Sequence, residues 1–205
     1  MKRFALILVM LFAAASAFAA PQKKVVVVLA TGFDEVEAAS PIDILRRAGF
    51  SVTVAGLDGI DVQGSENLIY KADMRFGDVN IMDYDAIVIP GGLPGAENLA
   101  RSEAVLAAVR KAAESGKVVA AICASPALVL AKAGVLEGHR ATCYPGFERN
   151  FSGKVTYVKE RTVTDGNLIT ANGPGSSMLF GIAIVDRMAG HDAAADLEKG
   201  LLIER

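Results

Sequence analysis

Three short segments hold residue types that can act together on an electrophilic carbon. Ala120-Ala121-Ile122-Cys123-Ala124-Ser125-Pro126 ends an apolar run in a cysteine, Val88-Ile89-Pro90-Gly91-Gly92 ends another in a glycine pair, and Glu35-Val36-Glu37 follows a third. A cysteine attacks as its thiolate, and a strand-to-helix turn sets the thiol beside the partial positive charge of a helix N-terminus, which favours that form. Attack on a carbonyl creates an oxyanion. The backbone N–H of Ala124 would face it, and the Gly91-Gly92 turn is suited to give a second donor, because glycine lets backbone approach closely. Each feature alone has a plainer reading. Lone cysteines are mostly buried and inert, a glycine pair is most often just a turn, and Asp34, Glu35 and Glu37 read singly as solvated helix residues.

Strands and helices alternate around these segments. Lys24 to Ala30 is a β-branched run, apolar on both faces, as suits a buried parallel strand. Asp34 to Arg47 has helical spacing with Asp34 as N-cap, and Pro41 inside it is expected to kink or split it. Ser51 to Leu57, Asp85 to Pro90 and Lys117 to Ile122 read as further strands, with short strands between Asp58 and Phe76. Ser102 to Ser115, Pro126 to Ala133, Ser176 to Met188 and Ala193 to Lys199 read as helices. Arg161 to Ala171 holds the hairpin signal Asp165-Gly166-Asn167. The alternation predicts an α/β domain with a mostly parallel sheet and helices on both faces. Ligands of such sheets bind beyond the carboxyl ends of the strands, which is where the three segments fall.

The bulk of the chain narrows the chemistry. It has 205 residues, 52% hydrophobic and 21% charged, with a net charge of −2. That suits one domain with a sizeable core, and no basic stripe interleaved with aromatics points to nucleic acid. Two cysteines, Cys123 and Cys143, are too few for a disulfide framework, and no Cys/His cluster has zinc spacing. No Walker loop or dinucleotide glycine pattern occurs, so no cofactor and no metal is expected. Lys2 and Arg3, an apolar run from Phe4 to Phe12 and Ala17-Phe18-Ala19 form the pattern of a cleaved export signal. The expectation is therefore a signal peptide over 1–19 and a single domain over 20–205, exported to the periplasm. The apolar run is shorter than the roughly twenty residues a bilayer span needs, so no membrane attachment is expected after cleavage.

Taken together, Val88 to Gly92 with Gly95-Ala96-Glu97-Asn98-Leu99, the Cys123 segment, Glu35 to Glu37, and Asn172-Gly173-Pro174-Gly175-Ser176 resemble the ThiJ/PfpI superfamily. The resemblance runs from about Lys23 to Ile203 and is nearest to the Parkinson-disease deglycase branch. It implies a flavodoxin-like three-layer sandwich. Cys123 would be the nucleophile, Glu37 the carboxyl group whose proton bonds its sulfur, and Gly92 and Ala124 the oxyanion donors, with Gly91 and Tyr144 near the substrate. It implies a homodimer that acts, without cofactor, as a glyoxalase or deglycase on methylglyoxal-like dicarbonyls or their protein adducts. The alternative is a non-enzymatic oxidative-stress sensor or protein-protection factor using the same cysteine.

Chemistry supports the acid–base pair independently: a carboxyl beside a thiolate should hold its proton to higher pH and trade it near neutrality. The pattern also departs from the superfamily. Tyr144 stands where the branch carries a histidine before a proline, and Ala124 where the protease-like branch puts a histidine, which argues against a peptidase. Of the two histidines, His139 lies on the strand leading to Tyr144, where a shifted register would bring it to the site in place of the missing histidine, and His191 lies at a helix boundary and reads as a surface residue. Cys143 either nears Cys123 or points away, since neighbours on a strand alternate faces. Arg46 and Arg47 match a basic pair of the family, at an interface or in solvent.

Overall fold

The chain is described by a computed structural model over residues 22–203; the expected signal segment lies outside these residues. In order, the strands and α-helices are β1 (Lys24–Leu29), α1 (Glu35–Arg47), β2 (Ser51–Gly56), β3 (Asp61–Gln63), β4 (Ile69–Lys71), β5 (Met74–Arg75), β6 (Ala86–Ile89), α2 (Gly95–Arg101), α3 (Glu103–Glu114), β7 (Val118–Ile122), α4 (Ala131–Ala133), β8 (Arg140–Ala141), β9 (Thr156–Tyr157), β10 (Thr162–Asp165), β11 (Leu168–Ala171), α5 (Ser177–Ala189) and α6 (His191–Gly200).

β1 occupies the middle of the sheet because neither of its faces is polar. Val25, Val27 and Leu29 pack into one core and Val26 and Val28 into the other. The strand order is β10-β11-β7-β6-β1-β2-β5, parallel throughout except for the β10–β11 hairpin, which turns through Gly166-Asn167 as its sequence predicts. Ile42, Ile44 and Leu45 of α1, with Phe180 and Ile184 of α5 and Ala194 of α6, seal one face. Leu99 of α2, Val105 and Val109 of α3, and Ala133 of α4 seal the other, giving the expected three-layer α/β sandwich. Burying a side chain such as Leu45 or Phe180 contributes about 1.5–3 kcal/mol.

The chain leaves β1 outward to β2, and β6 then returns to β1's other side. The order reverses there, opening a crevice at the carboxyl ends of β1 and β6.

Two local expectations change. Pro41 does not split α1, which runs unbroken with Pro41 buried in its core-facing side; the packing of Ala38, Ile42 and Leu45 outweighs the missing backbone bond at Pro41. The segment after Cys123 is not α-helical from its start. Pro126–Leu130 forms a π-turn, closed by the Ala131 N–H on the Pro126 carbonyl, before α4 begins. The Gly95-Ala96-Glu97-Asn98-Leu99 motif forms the start of α2, whose Ala96 N–H donates to the Gly92 carbonyl.

Candidate active site

Cys123 follows β7, a strand buried from end to end. Its φ is 64°, the left-handed region that costs a non-glycine residue about 1–2 kcal/mol. Neighbouring backbone holds it there. The Cys123 N–H donates to the Ala171 carbonyl at 2.9 Å, and the Cys123 carbonyl accepts from the Tyr144 N–H at 2.8 Å. The side chain is half-buried. The expected sharp elbow is therefore present and braced from β11 and from the 142–145 segment.

Glu37 approaches from the first turn of α1. Asp34 caps that helix, its Oδ1 accepting from the N–H groups of Val36 at 2.9 Å and Glu37 at 3.0 Å. The turn swings the Glu37 carboxyl inward to 0% exposure. Its Oε2 accepts the Gly91 N–H at 2.9 Å, and its Oε1 is buried as well. Cys123 lies near enough for each of the two groups to shift the other's proton affinity.

Gly91 fits between them only because it has no side chain. A Cβ there would lie 2.6 Å from the Cys123 Cβ and 2.6 Å from Glu37 Oε2. Gly92 takes a φ of 86°, open to glycine at no cost.

Burial, then the charge of Asp34, pushes Glu37 up to about 7, against hydrogen bonds from Cys123 and Gly91. Burial, then the Glu37 carboxylate and the thiol's bond to it, pushes Cys123 up to about 12; the N–H groups of Gly92 and Ala124 pull the other way. The helix terminus was expected to favour the thiolate; in the assembled site desolvation and a like charge outweigh it. The pair holds one proton between these two values. Sulfur is anionic only when that proton sits on Glu37, and the two N–H groups then face the charge.

The remaining sequence candidates take separate places. Tyr144 joins the site by its backbone; the residue is 46% exposed, and its ring packs edge-on to Phe147 and lies over Gly173. Gly91 spends its N–H on Glu37. His139 contacts Asp165 at 3.3 Å, and Asp165 pairs with Leu168, beside the start of β7. It is therefore at the opposite end of the sheet from Cys123. His191 begins α6 in solvent, 3.5 Å from Asp186. Arg47 pairs with Asp43 at 2.7 Å on the exposed side of α1. Cys143 is free and fully buried, raised to about 12 by burial and then by Glu148. Cys123 is free as well, so no bridge joins the two.

Three residues of the site neighbourhood were not legible as such. Glu35 is not a solvated helix residue: it accepts from the N–H groups of Glu66 at 2.8 Å and Leu68 at 3.2 Å, and from the Ser65 hydroxyl, fixing the β3–β4 loop. Asp34 faces Glu37 rather than open solvent alone; its three-residue spacing to a Glu was the available signal. Ser125, whose hydroxyl donates to the Pro90 carbonyl at 2.6 Å, gave no signal. Among the described residues no group of three or more His, Cys, Asp or Glu could hold a metal ion, and no helix is long and apolar enough to cross a membrane.

Residues 23–187 match the model of the DJ-1/PfpI family. Protein DJ-1 homolog B of Arabidopsis thaliana is 40% identical over 181 residues, covering 88% of this chain; the chain spans 41% of that protein's length. A protein named as a deglycase from Pyrococcus horikoshii is 33% identical over 152 residues, 74% of this chain and 90% of that one. Among solved structures, oxidized Toxoplasma gondii DJ-1 superposes with a TM-score of 0.85 at 37% identity, over 89% of this chain and 100% of that chain.

Proposed function

The chain belongs to the DJ-1/PfpI family, and from that premise we propose that it is a cofactor-independent glyoxalase- or deglycase-type enzyme. Its substrates are methylglyoxal-like dicarbonyls or the adducts they form on proteins. The observation that carries the reading is a buried carboxyl that titrates near 7 beside a half-exposed cysteine on a braced left-handed turn. A deglycase name on a relative at 33% identity supports the same class.

The Cys123 sulfur, its proton lodged on Glu37, adds to the aldehyde carbon. A C–S bond forms, and the carbonyl π pair becomes an oxyanion facing the N–H groups of Gly92 and Ala124. The oxyanion takes the proton held on Glu37 to give a hemithioacetal. Glu37, now a carboxylate, removes the hydrogen of the former aldehyde carbon as a proton, giving an enediolate, and returns it to the neighbouring carbon while the proton of the first hydroxyl passes to the second oxygen. The product is a thioester of a 2-hydroxy acid. Water cleaves its C–S bond, releasing lactate from methylglyoxal and restoring the thiol. No external oxidant or reductant is consumed, because one carbon is oxidised as its neighbour is reduced. Tyr144, exposed at the rim, supplies a phenolic donor to a substrate oxygen. With alanine after the nucleophile, no Cys–His pair forms there, and the reading is not that of a peptidase.

One observation favours a second reading, a non-enzymatic oxidation sensor: a solved relative is described in an oxidized state, and Cys123 is accessible here. We further propose cleavage of residues 1–19 on export to the periplasm, a single domain from residue 20, and a homodimer. Exposed Val36, Leu68 and Ile69, beside a cavity lined by Phe33, Ala39 and Tyr70, support an apolar contact between copies.

The test is methylglyoxal consumption with lactate formation by the reduced protein, alongside Cys123→Ser and Glu37→Gln. Turnover lost in both variants supports the enzyme. No turnover in the reduced wild type sinks it and leaves the sensor.

A further inference from the structure

The first turn of α1 departs from the usual way a helix N-terminus closes. Asp34 and Glu37 have the spacing of a capping box, in which the glutamate reaches back to the N-cap backbone N–H. Here Glu37 is diverted. The Asp34 N–H donates to the Gly91 carbonyl at 3.0 Å, the Gly91 N–H donates to Glu37 Oε2 at 2.9 Å, and the Glu37 N–H donates to Asp34 Oδ1 at 3.0 Å. The three bonds close a circuit through Asp34, Gly91 and Glu37. It ties the carboxyl of α1 to the end of β6 and keeps the Asp34 carboxylate beside it.

We propose that Asp34 is a positioning residue that sets, by its fixed negative charge and this circuit, the pH at which Glu37 gives up its proton. The proposal rests on the reading of Glu37 as the proton carrier and adds the group that tunes it. The groups acting on Glu37 are few. Asp34 acts from its own turn, Cys123 from the end of β7, and the uncharged Gly91 N–H from the end of β6. Glu35 is turned to the β3–β4 loop. α5, packed against α1, has its charges, Asp186 and Arg187, in its C-terminal part, where they meet His191 and the Gly166 carbonyl. Among the described residues, Asp34 is thus the one fixed charge whose field opposes ionisation of Glu37.

The measurement is the rate of alkylation of Cys123 by iodoacetamide against pH, read by mass spectrometry. It reports loss of the pair's first proton without any substrate. Wild type is expected to show a midpoint near 7. Asp34→Asn keeps the cap acceptor and removes the charge, so its midpoint should fall by about 0.5–2 pH units with the melting temperature unchanged. Asp34→Ser is the second neutral cap, should the asparagine variant misfold. In a Glu37→Gln background the neutral step should vanish, and Asp34→Asn should not recreate it. A folded Asp34→Asn or Asp34→Ser protein that keeps the wild-type midpoint overturns the proposal, as does a neutral step that persists without Glu37. Absence of methylglyoxal turnover defeats the proposed activity but leaves this titration standing.

Discussion

The Ser125 hydroxyl donates to the Pro90 carbonyl at 2.6 Å, and both residues are buried. The same peptide group carries the Gly91 N–H that holds Glu37. One amide therefore links the cysteine elbow to the carboxyl, receiving a hydrogen bond on its oxygen and giving one from its nitrogen, an arrangement in which each bond strengthens the other. Ser125→Ala leaves the Pro90 oxygen buried without that donor. The expected loss is about 1–3 kcal/mol in chemical denaturation, with slower Cys123 alkylation at neutral pH.

Gly91→Ala is expected to be worse for the site than for the fold. The added methyl falls 2.6 Å from the Cys123 Cβ and from Glu37 Oε2, so one of them must move. Overpacking of this kind costs about 1–3 kcal/mol. A crystal structure of the variant should show Glu37 displaced, and turnover should drop at least about tenfold, since misplacement by a fraction of an ångström already removes alignment.

Glu37 also makes stability depend on pH. Its carboxyl is raised from 4.5 to about 7, so the folded state holds the proton more tightly than the unfolded chain. That contribution is whole below 4.5 and is lost as pH rises through 7, to a total of about 3 kcal/mol. Glu37→Gln removes the titration. Its stability relative to wild type should therefore grow between these two values and level off above them, as read by urea denaturation at several pH values. A flat difference across that range would show that the carboxyl is not buried as described.

Backbone strain at Cys123 can be measured with two side-chain deletions. Cys123→Ala keeps a Cβ at a φ of 64°, whereas Cys123→Gly does not. The glycine variant should be the more stable of the two by about 1 kcal/mol, the reverse of the ordinary order at a strand end.

The two cysteines should react very differently in the native protein. Cys123 is half-buried at the mouth of the site and Cys143 is at 0% exposure. Brief treatment with hydrogen peroxide or a maleimide should modify Cys123 alone, and Cys143 should label only in denaturant, as peptide mapping would show.

How much was legible follows from the range of each interaction. The valine run of β1, the caps and glycine stops of the helices, and the Gly166-Asn167 turn are local, and the chain declares them. Parallel order and the two-faced core follow from strands apolar on both sides. The elbow at Cys123 was readable too, because a strand that runs into small residues and a proline has few ways to turn. By contrast, that Glu37 and not Glu35 enters the site depends on how α1 docks on β1 and β6. Two positions along the helix separate a carboxyl at 0% exposure from one that pins the β3–β4 loop. The direction of the Glu37 shift was readable from the pairing of a carboxyl with a thiol, but that of Cys123 was not. A helix terminus suggested an acidic thiol, and only the assembled site shows that burial and a neighbouring carboxylate push Cys123 the other way. The sequence by itself determined which residues could react and the fold that carries them. The tertiary structure decided their charge states, because desolvation and Coulomb terms depend on atoms brought together from three distant segments of the chain.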